Sequence, residues 1–87
     1  MKTLHVIKVR EIYAEDLLDG GKTFEIRKND RGYRVGDKIM FRVIDSKTLE
    51  RVQHALNKRL FDVTYVLEDV PGLHKGYAIL GIRQCAD

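Results

Sequence analysis

The sequence predicts a mainly β fold: a small, strongly curved barrel or half-barrel of about five strands, with one or two short helices. Three observations carry this. Short β-branched runs recur between turns rich in Gly, Asn and Asp, only one stretch clearly takes the helical period, and no βαβ unit repeats. The 87 residues suit one domain, residues 1–87, around one small core. Hydrophobic content of 44% beside charged content of 33% fits a folded chain and excludes a disordered tail.

Taken in order, Leu-His-Val-Ile-Lys-Val at residues 4–9 reads as a first strand. The period then changes. Ile12, Leu17 and Leu18, with Tyr13 and Ala14, form a one-sided apolar stripe, and Glu15, Asp16 and Asp19 oppose it. A short helix over residues 11–19 follows, ended by Gly20-Gly21, because glycine enters the left-handed cap without a Cβ penalty. Its acidic C-terminal turn opposes the helix dipole, so packing must hold it.

Residues 22–28 form the second expected strand, with Phe24 and Ile26 on one face and Thr23, Glu25 and Arg27 on the other. Asn29-Asp30-Arg31-Gly32 and Val35-Gly36-Asp37 are turns. Strands are expected at residues 38–45, 60–67 and 76–83, the last two separated by Val70-Pro71-Gly72. In residues 46–59 the helical spacing of Leu49, Val52 and Leu56 predicts a short helix, with an extended excursion as the alternative.

Charge is concentrated rather than spread. Residues 22–38 hold six bases and three acids, a net +3, while the remaining positions hold ten of each. The basic character of the chain therefore belongs to one region. Within it, Thr23, Glu25 and Arg27 emerge two apart from one strand face, and Lys28, Arg31, Tyr33 and Arg34 follow in the turn. Such a row can be a structural ion pair on a solvated face, an acceptor for a base or sugar, or a proton-transfer group. Tyr33 between Arg31 and Arg34 is expected to offer a stacking face beside cations, as single-stranded nucleic acid requires. Tyr13, Tyr65 and Tyr77 are the other aromatics able to stack a base, though Tyr65 and Tyr77 are expected to cover core or barrel wall, and His5 is expected at the cleft mouth or in a structural role.

The stretch Gly20-Gly21-Lys22-Thr23-Phe24-Glu25-Ile26-Arg27 resembles the Gly-x-Lys-x-x-Glu-x-Arg motif of the ASCH superfamily, whose small barrels are similar to RNA-binding PUA domains. Its continuation, Lys28-Asn29-Asp30-Arg31 then Val35-Gly36-Asp37, looks like the DUF3850 branch. So do His5-Val6-Ile7-Lys8, Val63-Thr64-Tyr65-Val66-Leu67 and Gly76-Tyr77-Ala78-Ile79-Leu80. The resemblance implies a PUA-like barrel with a cleft between helix and barrel, lined by Lys22, Glu25 and Arg27. The chain departs from its relatives at residues 46–59, where their Thr-Gly turn is replaced by Lys47-Thr48-Leu49 in a longer insert.

Two functions are then expected. The first is an RNA- or nucleotide-binding module with Lys22, Glu25, Arg27, Lys28, Arg31, Tyr33 and Arg34 at the ligand. The second is a hydrolase acting on an N-acylated nucleoside, with Lys22, Glu25 and Thr23 as its catalytic set. One ASCH branch resembles such an amidohydrolase, but its nucleophilic threonine falls at Glu25 here, and Glu68 is a weak match to its glutamate. Between two cations, Glu25 suits a fixed acceptor better than a proton carrier. On this reading Glu25 stands in an open cleft, and Arg27 lies deeper, beneath the helix.

No metal and no cofactor are expected. His5, His54, His74 and Cys85 lack ligand spacing, and there is no phosphate-gripping glycine loop, Cys-x-x-Cys or nucleophile elbow. One cysteine excludes an internal disulfide and suits a reducing compartment. With no signal-like or membrane-length apolar run, a cytoplasmic location and no membrane partner are expected, and a monomer is favoured.

Overall fold

The computed structural model describes residues 2–86. Five strands form one sheet in the order β1-β3-β4-β5-β2: β1 (Leu4–Arg10), β2 (Phe24–Lys28), β3 (Lys38–Ile44), β4 (Leu60–Leu67) and β5 (Tyr77–Gln84). Only β1 and β3 run parallel; the other neighbours are antiparallel. The sheet curls into a half-barrel, which is the curved mainly β fold the sequence predicts.

Strict alternation builds the concave core. In β1 His5, Ile7 and Val9 are buried while Leu4, Val6, Lys8 and Arg10 are exposed. Ile39, Phe41 and Val43 of β3, Phe61 and Val63 of β4, and Ala78, Leu80 and Ile82 of β5 join them inside. The curl is sharpened where the β4–β5 register shifts between Val63 and Tyr65. Gly81 sits opposite that bulge, and a Cβ there would come within 3.0 Å of Thr64 Oγ1 and 3.1 Å of Tyr65 Cβ. A side chain at this position would push the two strands apart.

The helix α1 (Glu11–Asp19) starts directly from β1 and ends at Gly20, whose φ of 87° is the expected left-handed cap. It buries Ala14 and Leu17 over the end of the half-barrel, with Leu18 packed at the edge. The buried stripe is narrower than expected, since Ile12 and Tyr13 remain exposed. Truncation of Leu17 to alanine would cost roughly 2–5 kcal/mol, because few other side chains hold this helix down.

Residues 46–59 do not form the expected helix. Asp45 accepts hydrogen bonds from the backbone N–H groups of Lys47 and Thr48, both at 2.8 Å, and makes a tight turn. Arg51 then bridges back to Ile44, and only Ala55–Lys58 takes a turn of 3-10 helix. The reason lies in β3. Its ladder with β4 covers Lys38 to Met40, so its second half offers unpaired backbone groups. The excursion supplies their partners: Val52 N–H donates to Val43 O at 2.9 Å, and Val43 N–H donates to Asn57 Oδ1 at 2.8 Å. A helix would leave these buried groups orphaned. Leu49 is held at a φ of 63°, a left-handed conformation that glycine occupies more easily.

Tyr33 is a second correction. It is 4% exposed, with its ring against His5 at 4.6 Å, so it has no free face for a base. His5 itself is buried against Asp37 at 2.9 Å and lies at no cleft mouth. Tyr65 and Tyr77, expected in the barrel wall, are exposed on its outside.

Candidate functional site at the seam

The two edge strands, β1 and β2, face one another across an open seam. Side chains span it instead of ladder bonds. Arg27 Nη1 donates to Lys8 O at 2.9 Å, and Arg31 Nη1 donates to Val6 O at 2.8 Å. These carbonyls are two residues apart, so both point to the unpaired edge of β1. Guanidinium groups thus satisfy an edge that would otherwise be open to another strand.

The orientation of β2 sets the chemistry. Its apolar residues Phe24 and Ile26 point outward, while Glu25 and Arg27 turn toward the concave side. Glu25 sits in register with buried Leu80, and Arg27 with buried Ala78. Glu25 is consequently 5% exposed and does not stand in an open cleft. Arg27, expected deeper beneath the helix, is the shallower of the two, with 27% of its side chain exposed and its head at the β1 edge.

Lys22 comes from the turn after α1, anchored where its N–H donates to Asp16 O at 2.9 Å. Its Nζ lies 2.5 Å from Glu25 Oε1 and 2.8 Å from Phe24 O. The same ammonium stands 5.4 Å from the Tyr13 ring centroid and 4.9 Å from that of Phe24, which adds cation–π attraction from both. Glu25 Oε2 faces Arg27 Nη1 at 3.6 Å, outside hydrogen-bond range, and accepts no hydrogen bond among the described residues. One carboxylate oxygen is thus held and the other keeps its lone pairs.

These groups line a groove of about 550 Å³ bounded by β1, α1, β2 and the end of β3. Tyr13, Phe24, Ile26 and Ile44 supply apolar wall, and Lys22, Glu25 and Arg27 the polar floor. Lys22, Glu25 and Arg27, the three residues named by the motif, all line this groove. Beside it lies a second hollow, lined by Val6, Lys8, Arg27, Arg31 and Arg42.

Other expected residues lie elsewhere. Lys28 lines a separate shallow hollow with Asp30 and Tyr77. Arg34 belongs to the turn whose backbone holds Asp37, and it lines none of these hollows. Thr23 and Glu68 are exposed and are not among the residues that line the groove. His54 pairs with Glu15 at 3.0 Å and His74 packs on Tyr77, on separate elements from His5 and Cys85.

Sequence reasoning named Tyr13 as an aromatic able to stack a base but did not single out Lys8 or Arg42. A signal for Arg42 was present: it is the one base inside the apolar run Ile39-Met40-Phe41-Arg42-Val43-Ile44.

A curled, open five-stranded sheet with one helix is consistent with the ASCH/PUA-like class of domains. Residues 4–82 match the family described as a domain of unknown function, DUF3850, and the chain belongs to that family. A search among curated proteins finds no match. No helix of the described residues is long and apolar enough to cross a membrane.

Proposed function

We infer that the seam groove binds a nucleobase-bearing ligand, a nucleotide or single-stranded RNA. The observation that carries this reading is Glu25 Oε2, an acceptor without a protein donor on a side chain that is otherwise largely buried, set between apolar walls and two cations. A carboxylate in that position accepts from an exocyclic amine such as cytosine N4. Tyr13 and Phe24, both partly exposed at the groove, are the aromatic faces available for stacking. They take the role that buried Tyr33 cannot fill.

The cations contribute the sequence-independent part of binding, through release of counterions from phosphates. Titration of short single-stranded RNAs at several salt concentrations tests the reading. Affinity is expected to fall as salt rises, and Glu25→Gln is expected to flatten the preference among cytosine-rich, adenine-rich and uracil-rich probes. Salt-independent binding with unchanged base preference in Glu25→Gln would overturn it.

A further inference from the structure

The second hollow has a composition that the seam alone does not require. Lys8 of β1 and Arg42 of β3 are register partners in the parallel pair, which puts both on the outer sheet face. Neither side chain has a hydrogen bond or ion pair among the described residues. Arg27 and Arg31 reach the same place from across the seam, each using one N–H on a β1 carbonyl. A guanidinium carries five N–H donors, so both retain several. The resulting hollow of about 410 Å³ has four cationic side chains and no acid in its lining.

Two bases elsewhere show the contrast: Lys22 is paired with Glu25, and Lys38 with Asp62. In the hollow only Arg27 has a carboxylate of the described residues within 4 Å, Glu25 Oε2 at 3.6 Å. Four cations gathered in one concavity repel each other, and an anion seated among them would relieve that repulsion. The size of the charge discriminates between anions. An internal phosphodiester brings one negative charge, whereas a phosphomonoester brings about 1.5 to 2 near neutral pH and has three terminal oxygens. Arginine forks match such oxygens in pairs.

The hollow also adjoins the base-binding groove, since Lys8 and Arg27 line both. We propose that Lys8, Arg27, Arg31 and Arg42 form a phosphomonoester-binding subsite, so that the ligand of the seam is a nucleotide with a terminal phosphate. The base end of this ligand rests on the reading of Glu25 above, while the phosphate end rests on the four cations. The phosphomonoester belongs either to a free mononucleotide or to the phosphorylated end of a strand.

The test uses the full chain, with backbone amide shifts of Lys8 and Arg42 followed by NMR. The probes are inorganic phosphate, cytidine, cytidine monophosphate, and one short RNA with and without a 5′-phosphate. Expected are shifts with inorganic phosphate and at least tenfold tighter binding of a phosphorylated probe than of its unphosphorylated counterpart. A Lys8→Gln/Arg42→Gln double variant should lose that discrimination without lowering the unfolding midpoint, because both side chains are exposed and unpaired. Discrimination only between the two RNAs supports a strand end, and discrimination only between cytidine and its monophosphate supports a free nucleotide. Glu25-dependent binding of cytidine with no gain from phosphate overturns the subsite and leaves the base reading standing. Inorganic phosphate and cytidine monophosphate shifting Lys8 and Arg42 equally in wild type and Glu25→Gln, while cytidine does not bind, supports the subsite and overturns the base reading. Discrimination that survives in the double variant overturns the subsite.

Discussion

Two carboxylates in this chain are buried to nearly the same depth, Glu25 at 5% and Asp37 at 4% exposure, and each faces a basic side chain. Their surroundings differ in kind. Asp37 accepts hydrogen bonds from the backbone N–H groups of Thr3 at 3.2 Å and Arg34 at 3.1 Å, and is bonded to His5 at 2.9 Å. Its own backbone ties it to Arg34 O and Val63 N–H. Glu25 receives no backbone donor to its carboxylate; its partners are two long side chains at the rim of a groove. A buried acid fixed by backbone holds strands together, whereas one held by flexible cations can exchange a partner for a ligand.

The first way to break this contrast is to remove Asp37. Asp37→Ala leaves buried His5 and two backbone N–H groups without their acceptor, and is expected to cost about 3–5 kcal/mol in denaturant unfolding. For a domain of this size that approaches its whole stability. Asp37→Asn keeps one carbonyl oxygen and is the variant for pH work. Burial alone would raise the Asp37 carboxyl, but the hydrogen bonds from His5, Thr3 and Arg34 outweigh it and hold it below its usual value of 3.8. The folded state therefore favours the ionised form. Its stabilisation is present above about pH 4, the unfolded range, and is lost as pH falls through the lower folded value. Asp45 and Asp62 are lowered in the same direction by their own partners, so wild type alone cannot isolate Asp37. The wild-type minus Asp37→Asn difference in stability should shrink as the solution is acidified below pH 4. A difference that stays constant would remove the structural role assigned to this carboxylate.

Glu25→Gln should do less, about 1–2 kcal/mol. Neutralisation strands Lys22 and Arg27, but Lys22 keeps Phe24 O, Arg27 keeps Lys8 O, and water reaches both. The expected loss is larger than an open cleft would give, because Glu25 is buried. If the loss matches that of Asp37→Ala, the polar row is scaffold and the ligand must be sought at the four-cation hollow alone.

What the sequence revealed divides along the same line. Strands, the helix and its glycine cap were legible because each depends on local period and turn chemistry. The face of β2 was legible only as alternation. Phe24 and Ile26 normally mark the core side, and nothing local says that this strand is an edge whose polar face turns inward. The depth of Glu25 and the core position of Tyr33 follow from that tertiary placement. Residues 46–59 failed for a related reason: the spacing of Leu49, Val52 and Leu56 is helical, but the unpaired half of β3 claims their backbone. Lys8 and Arg42 are 34 positions apart and meet only through the parallel register.

The smallest effect sharpens the contrast most, because it asks whether the groove acid is coupled to its cation at all. Arg27 is partly exposed, 3.6 Å from Glu25 Oε2, and its one hydrogen bond goes to a β1 carbonyl instead. A partly hydrated ion pair with no shared hydrogen bond contributes little. Arg27→Gln is therefore expected to cost under about 1 kcal/mol, most of it from the lost seam contact. In a double-mutant cycle with Glu25→Gln, the coupling should stay below about 0.5 kcal/mol, within the range of nearly independent sites. Such a value means that Glu25 Oε2 is energetically unclaimed by the protein and open to a donor from a ligand. Coupling of 2 kcal/mol or more would mean that Arg27 already satisfies that oxygen, and the groove would then lack the free acceptor on which base recognition depends.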